Sequence, residues 1–161
     1  MSKQTDMVVS IYQIKVTLSD SKPPIWRRIE VPEDIRLDKL HTVLQIAMGW
    51  TDSHLHQFSL PTPREQPVIY YGMRDPDVDK SRTMDERRYR LNELINTPRQ
   101  KLIYEYDFGD LWDHVLVLEK ILEPDPDVRY PRCTAGKLAC PLENSGGVYG
   151  YYQVLRQVKL N

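Results

Sequence analysis

Apolar and polar positions alternate over residues 8–18, where Val8, Tyr12, Ile14, Val16 and Leu18 share one parity and Lys15 and Thr17 take the other. That period of two predicts a half-buried strand. Residues 25–31 repeat it, with Ile25, Ile29 and Val31 facing in and Trp26, Arg28 and Glu30 facing out. The turn cluster at 20–24 makes the two strands antiparallel neighbours. The period then changes. Leu37, Leu40, Leu44 and Ala47/Met48 follow three-four spacing, which predicts a helix over 37–48 with Gly49 as its C′ residue and Asp34 or Asp38 as its cap. His41 lies on or beside this stripe and reads as a core histidine bonding a backbone group. Residues 50–60 read as extended, with His54 and His56 on one side and Leu55 turned to the core. A short strand at 68–71, a charged surface loop at 74–90 and a helical turn at 91–95 follow. A helix over 151–160, striped by Val154, Leu155 and Val158, closes the chain.

The most concentrated chemistry sits in residues 104–114. Leu102, Tyr104, Tyr106 and Phe108 alternate with Ile103, Glu105 and Asp107, so 101–108 reads as a strand. Gly109-Asp110 reads as a two-residue primed turn and 111–122 as the returning strand. This register sets Asp107 opposite Trp112 and Glu105 opposite His114, with Tyr104, Tyr106, Val115 and Val117 on the other face. Cross-strand Cβ atoms lie roughly 5 Å apart, within reach of a carboxylate–imidazole bond. Asp107, Asp110 and His114 thus line a cleft on this reading, or else form the wet face of an ordinary hairpin. His54 and His56, at i and i+2, can ligate one metal ion.

Together these elements predict an α+β fold, a mostly antiparallel sheet packed by two or three helices, in a single domain over 1–161 with residues 1–7 flexible. At 161 residues the chain can bury a proper core without disulfides. A net charge of −1 supplies no global field toward nucleic acid, so any DNA contact is weak or indirect. Residues 74–101 carry eight Lys or Arg against six Asp or Glu, too mixed for a phosphate-binding footprint. No signal peptide or membrane-length apolar run is visible, so the expectation is a cytoplasmic protein without membrane contact. Cys133 and Cys140 then read as thiols or ligands rather than a disulfide.

Several ordered motifs carry a resemblance: Ile25-Trp26-Arg27-Arg28, Leu40-His41, Ala47-Met48-Gly49-Trp50, His54-Leu55-His56-Gln57-Phe58, Tyr106-Asp107-Phe108-Gly109-Asp110 with Trp112 and His114, and Gly146-Gly147 with Gly150-Tyr151. Over roughly residues 8–155 the chain resembles the plasmid ORF-3-like family, named after a reading frame of a root-inducing plasmid. The resemblance implies an α+β fold and little about activity, because the family is uncharacterised. Some members carry an insertion-element resolvase label, and at least one is joined to a repressor-type DNA-binding domain. Where many relatives have Pro-Pro-Glu-Asp and a small residue or Cys, this chain has Pro141-Leu142-Glu143-Asn144-Ser145.

Resolvase chemistry fits poorly. Strand exchange needs a Ser or Tyr nucleophile among arginines. Ser2, Ser10, Ser19, Ser21, Ser53 and Ser59 have no such setting, and alternation sends Arg27 and Arg28 to opposite faces. Walker, Rossmann, HExxH and hydrolase-elbow motifs are absent. Two readings remain. The first is a non-catalytic interaction or adaptor module with a protein partner, linked to mobile-element DNA transactions. The second is a metal-assisted or acid–base enzyme whose cleft holds His54, His56, Asp107, Asp110, Trp112, His114 and Glu143, with a divalent metal on ligands drawn from His54, His56, His114, Cys133 and Cys140. The first is preferred, since structural roles commonly explain motifs in a small packed domain.

Overall fold

The computed structural model describes residues 8–73 and 83–160. One eight-stranded sheet runs β5-β4-β3-β6-β7-β1-β2-β8. Its strands are β1 (Ile11–Leu18), β2 (Trp26–Pro32), β3 (His56–Ser59), β4 (Tyr70–Gly72), β5 (Met84–Asp85), β6 (Lys101–Tyr106), β7 (Trp112–Leu122) and β8 (Arg132–Lys137). Every neighbouring pair is antiparallel except β4 with β5. The helices are α1 (Leu37–Met48), the single turn α2 (Leu91–Leu94) and α3 (Gly147–Leu160). This is the α+β single domain that the alternating and three-four patterns call for.

Parity decides the core. Tyr12, Ile14, Val16 and Leu18 of β1, Ile29 and Val31 of β2, and Leu102, Tyr104 and Tyr106 of β6 are all buried on the face that α1 covers with Leu37, Leu40, Leu44 and Met48. The other face keeps its charges, with Arg28 bonded to Glu119 at 2.7 Å and Lys15 over the Trp26 ring. Gly49 closes α1 at φ 73, the left-handed position that glycine takes without Cβ strain. Neither Asp34 nor Asp38 caps α1. Arg36 holds that place, and its guanidinium grips the Asp38 carboxylate instead.

Several expectations change. The β6–β7 turn is not the two residues Gly109-Asp110. It spans 107–111, closed by the Leu111 N–H on the Asp107 carbonyl at 2.7 Å, with Asp107 (φ 63) and Leu111 (φ 57) left-handed and Gly109 not. Asp107 Oδ1 accepts the N–H groups of Gly109 and Asp110, so Asp107 leaves the strand for the turn. The register therefore slips by one, pairing Tyr106 with Trp112, Glu105 with Asp113 and Tyr104 with His114. A one-residue slip moves every side chain of a strand to the other face, so His114 is fully buried in the core.

Leu55 does not face the core. It is 60% exposed, because β3 starts only at His56 and turns His56 and Phe58 inward. Finally, the charged stretch 74–90 is not simply a surface loop. Residues 74–82, like the segment 1–7, lie outside the described residues. Beyond them come β5 and a 3-10 turn at Glu86–Arg88, with Glu86 only 4% exposed. Helix α3 also begins four residues earlier than its apolar stripe suggests, and Val154 is 40% exposed. Val148 and Tyr151 pack on the core in its place.

Candidate functional site

The segment between α1 and β3 runs past the turn end of the β6–β7 hairpin, pinned there by the Asp107 N–H on the Leu55 carbonyl at 2.9 Å. All four histidines converge near this junction, in two different states.

The first state is closed. Gln45 Nε2–H donates to the Tyr104 hydroxyl (2.8 Å), which donates to His41 Nδ1 (2.6 Å). His41 Nε2–H donates to Asp52 Oδ1 (2.8 Å), and the Asp52 backbone N–H returns to Gln45 Oε1 (2.8 Å). A carboxylate only accepts, so this ring of bonds fixes His41 as the neutral Nε2–H tautomer. Burial, and then the neighbouring His56, hold the His41 pKa below its usual value. Burial also raises the Tyr104 hydroxyl far above the phenolic range. His56 stacks on His41 at 3.4 Å between ring centres and 7° between planes. It donates from Nε2 to the buried Glu86 at 2.7 Å. His114 donates from Nδ1 to the Tyr104 carbonyl (3.0 Å) and accepts the Trp50 indole N–H on Nε2 (3.2 Å). Burial lowers its pKa to about 4.

Ligand atoms of His41, Asp52 and His56 lie within 4.8 Å of one another. An imidazole binds a metal along a lone pair in the ring plane, at about 2.0 Å. Two parallel rings 3.4 Å apart cannot both hold one ion in plane, so this trio is arranged for stacking and hydrogen bonding.

The second state is open. His54 Nε2 points between Asp107 Oδ2 (3.5 Å) and Glu143 Oε2 (3.7 Å). Both distances exceed the 2.7–3.2 Å range of N–H···O bonds. His54 Nε2 and Glu143 Oε2 are buried atoms without a hydrogen-bond partner. The remaining carboxylate oxygens are committed. Glu143 Oε1 accepts from the Thr51 N–H (2.7 Å), the Thr51 hydroxyl (3.2 Å) and the Tyr106 hydroxyl (2.9 Å). Asp107 Oδ1 holds the hairpin turn. Tyr106, which also accepts the Ser53 N–H, has its pKa pushed up to about 12 by burial first and by its bond to Glu143. Each acid is thus fastened by one oxygen and presents the other to the same imidazole. The loop bearing Glu143 is held against the turn by the Gly146 N–H on Asp110 Oδ2 (3.2 Å). Gly147 follows at φ 71, where a Cβ would meet the Asp110 carbonyl oxygen at 2.6 Å.

Of the residues the sequence singled out, the structure brings together His54, Asp107 and Glu143, with Asp110 as a clamp beside them. It does not bring the others. His56 faces Glu86, and His114 spends both nitrogens in the core. Trp112 packs against Trp50 at 5.1 Å with its indole N–H unpartnered. Cys133 lies on β8, with four strands between it and β3, about 24 Å at the usual strand spacing. Cys140 takes a bond from Arg27 at 3.1 Å, and burial raises its thiol pKa. Neither cysteine is paired. The sequence reading missed Asp52, Glu86, Thr51 and the part that Tyr104 and Tyr106 play. The tyrosines' shared inward parity was the available signal. Glu86, inside a run of charges, gave none. His41 is indeed a core histidine, but its partners are side chains.

Comparison with known proteins agrees with this architecture. Residues 10–160 match the family model described as plasmid pRiA4b ORF-3-like protein. An uncharacterised Sinorhizobium fredii protein, y4hQ, is 36% identical over 148 residues, covering 91% of this chain and 72% of that protein. The crystal structure of a protein of unknown function from Methanosarcina mazei Go1, MM3350, superposes with a TM-score of 0.85 at 36% identity, covering 96% of this chain and 84% of that one. No helix among the described residues is long and apolar enough to cross a membrane. With the sheet, the motif-bearing junction and these relatives in agreement, the chain belongs to the plasmid pRiA4b ORF-3-like family.

Proposed function

We propose that the chain binds one divalent transition-metal ion between His54 Nε2, Asp107 Oδ2 and Glu143 Oε2 and uses it as a Lewis acid toward a ligand or water. The observation that carries this reading is the pair of orphaned buried atoms, His54 Nε2 and Glu143 Oε2, facing each other at 3.7 Å. Atoms sharing one ion at about 2.1 Å in a tetrahedral arrangement lie roughly 3.4 Å apart; the two edges that meet at His54 Nε2, 3.5 and 3.7 Å, fit this, and Asp107 and Glu143 would draw together on the ion. One imidazole with two carboxylates suits zinc, iron or manganese. Three protein ligands leave a coordination position for water or substrate, whereas structural ions are usually closed by four. Unpaired thiols, with no membrane-length helix among the described residues, fit work in a reducing cytoplasm.

Calorimetric titration with Zn2+ and Mn2+, paired with elemental analysis, tests the site. A 1:1 complex is expected, weakened at least 30-fold in Glu143→Gln, which keeps an oxygen for Thr51 and Tyr106. Saturable binding that survives both Glu143→Gln and His54→Ala would sink the site.

A second reading, the interaction module linked to mobile-element DNA transactions through a protein partner, draws on the rim. Each member of the trio has an exposed large apolar neighbour in sequence, Leu55, Phe108 and Leu142. Contiguous exposed apolar surface marks protein contacts. A photoreactive residue at position 55 should then give one dominant in-cell crosslink, abolished by Phe108→Asp with Leu142→Asp. A diffuse ladder of adducts would count against a partner.

A further inference from the structure

The Tyr151 hydroxyl donates to the Ala139 carbonyl (3.3 Å) and the Tyr152 hydroxyl to the Lys22 carbonyl (3.1 Å), so α3 is tied down on two sides. Between these ties lies a cavity of about 720 Å3. Its walls are apolar and aromatic, with Ile25, Leu138, Tyr149 and Tyr152 among them, and two cations, Lys22 and Arg156, stand at it. None of its lining residues is acidic, in a chain whose net charge is −1. Among the described residues neither Lys22 nor Arg156 meets a carboxylate within ion-pair distance. His54, Asp107 and Glu143 do not line it.

We propose that this cavity binds a small amphiphilic anion, its aromatic or otherwise flat apolar body against Tyr149, Ile25 and Leu138 and its acidic head group between Lys22 and Arg156. Volume, shape and charge support the assignment independently. Sites for small organic molecules are concave, roughly 300–1,000 Å3, mostly apolar, and oriented by a few polar groups. Two unpaired cations beside apolar walls select an anion over a neutral ligand, because a head group left in water loses their attraction. Exposed aromatic rings lend flat ligands contact area at little cost in conformational freedom. The proposal stands apart from the metal reading and does not need it.

The test uses two dyes on the full chain, 1-anilinonaphthalene-8-sulfonate and N-phenyl-1-naphthylamine, which differ by the sulfonate. The sulfonate dye should saturate at one per chain and bind at least 10-fold tighter than the neutral one. Arg156→Glu should weaken the sulfonate dye at least 10-fold and change the neutral dye less than twofold. Tyr149→Ala, at a side chain exposed enough to leave folding intact, should weaken both. Amide shifts on titration should map to residues around 22–25, 138–139 and 149–156. Equal binding of the two dyes, an equal effect of Arg156→Glu on both, or shifts mapping elsewhere would overturn the site. So would a chain dimer in sedimentation that vanishes in Tyr149→Ala, which would give this face to a second copy. Binding to phosphatidylglycerol vesicles without a saturable dye site would give it to a lipid surface and equally overturn the cavity.

Discussion

His54 and His56 are separated by one residue, and the chain treats them in opposite ways. His56 is sealed in, stacked on His41 and bonded to Glu86. His41 in turn sits in a ring of bonds with Tyr104, Gln45 and Asp52 that leaves no ring nitrogen idle. His54 meets the Tyr106 ring edge-on at 5.8 Å between centres, and its Nε2 meets two carboxylate oxygens beyond hydrogen-bond range. A buried polar atom without a partner costs about 1–3 kcal/mol. The closed cluster has spent its polar groups on one another, as a structural core does. The open cluster keeps that cost at a spot where two acids and an imidazole converge. Histidine content alone therefore says little here, and completed or uncompleted hydrogen bonding separates scaffold from site.

The largest effect that separates the two clusters is expected from Tyr104→Phe. It orphans His41 Nδ1 and Gln45 Nε2 in the core, at a combined cost of about 3 kcal/mol. Urea unfolding reads that loss directly. Ion affinity at His54 should stay within twofold, since Tyr104 touches none of the trio. A matching collapse of ion binding would show that the clusters form one unit.

Acid should also act on the closed side. His114 is neutral when folded, with a pKa of about 4 against an ordinary 6.5. Between those values the unfolded chain binds the extra proton, so stability rises with pH through this window and is lost as pH falls. From pH 7 to pH 5 the loss is about 2 kcal/mol from this group. His41, also lowered, acts with the same sign. Comparing wild type with His114→Asn, which keeps a donor toward the Tyr104 carbonyl, should show a flatter slope in the variant. An unchanged slope would remove His114 from the account.

Much of this was readable in advance. Alternation marked β1, β2 and β6, and the three-four stripe of Leu37, Leu40 and Leu44 marked α1 with Gly49 at its end. His54, Asp107 and Glu143 were all candidates from their motifs. What could not be read was the register of the β6–β7 hairpin. Gly109 suggested a two-residue turn, but the Asp107 side chain can cap its own turn and pull the strand end back by one residue. Periodicity is blind to that choice, and the slip decided whether His114 joined the site or the core. Cys133 and Cys140 were read as thiols or ligands from residue type and compartment, neither of which reveals strand order, and β8 joins the sheet at the far edge.

The smallest effect bears on the segment that joins the two clusters. Leu55 lies between a sealed histidine and an open one, and strand alternation carried back from Phe58 would have put His54 inside with His56. Instead β3 begins at His56, and the Leu55 carbonyl is taken by the Asp107 N–H from the turn. This bond lets the backbone change course, sending Leu55 to solvent and swinging His54 toward Asp107 and Glu143. Leu55→Ser should then change unfolding free energy by no more than about 0.5 kcal/mol, as exposed substitutions do. A core leucine replaced in this way would cost several times more. If the loss in urea exceeded about 2 kcal/mol, Leu55 would be a buried anchor, the course of residues 52–56 would differ, and the open cluster would lose the geometry that distinguishes it from the closed one.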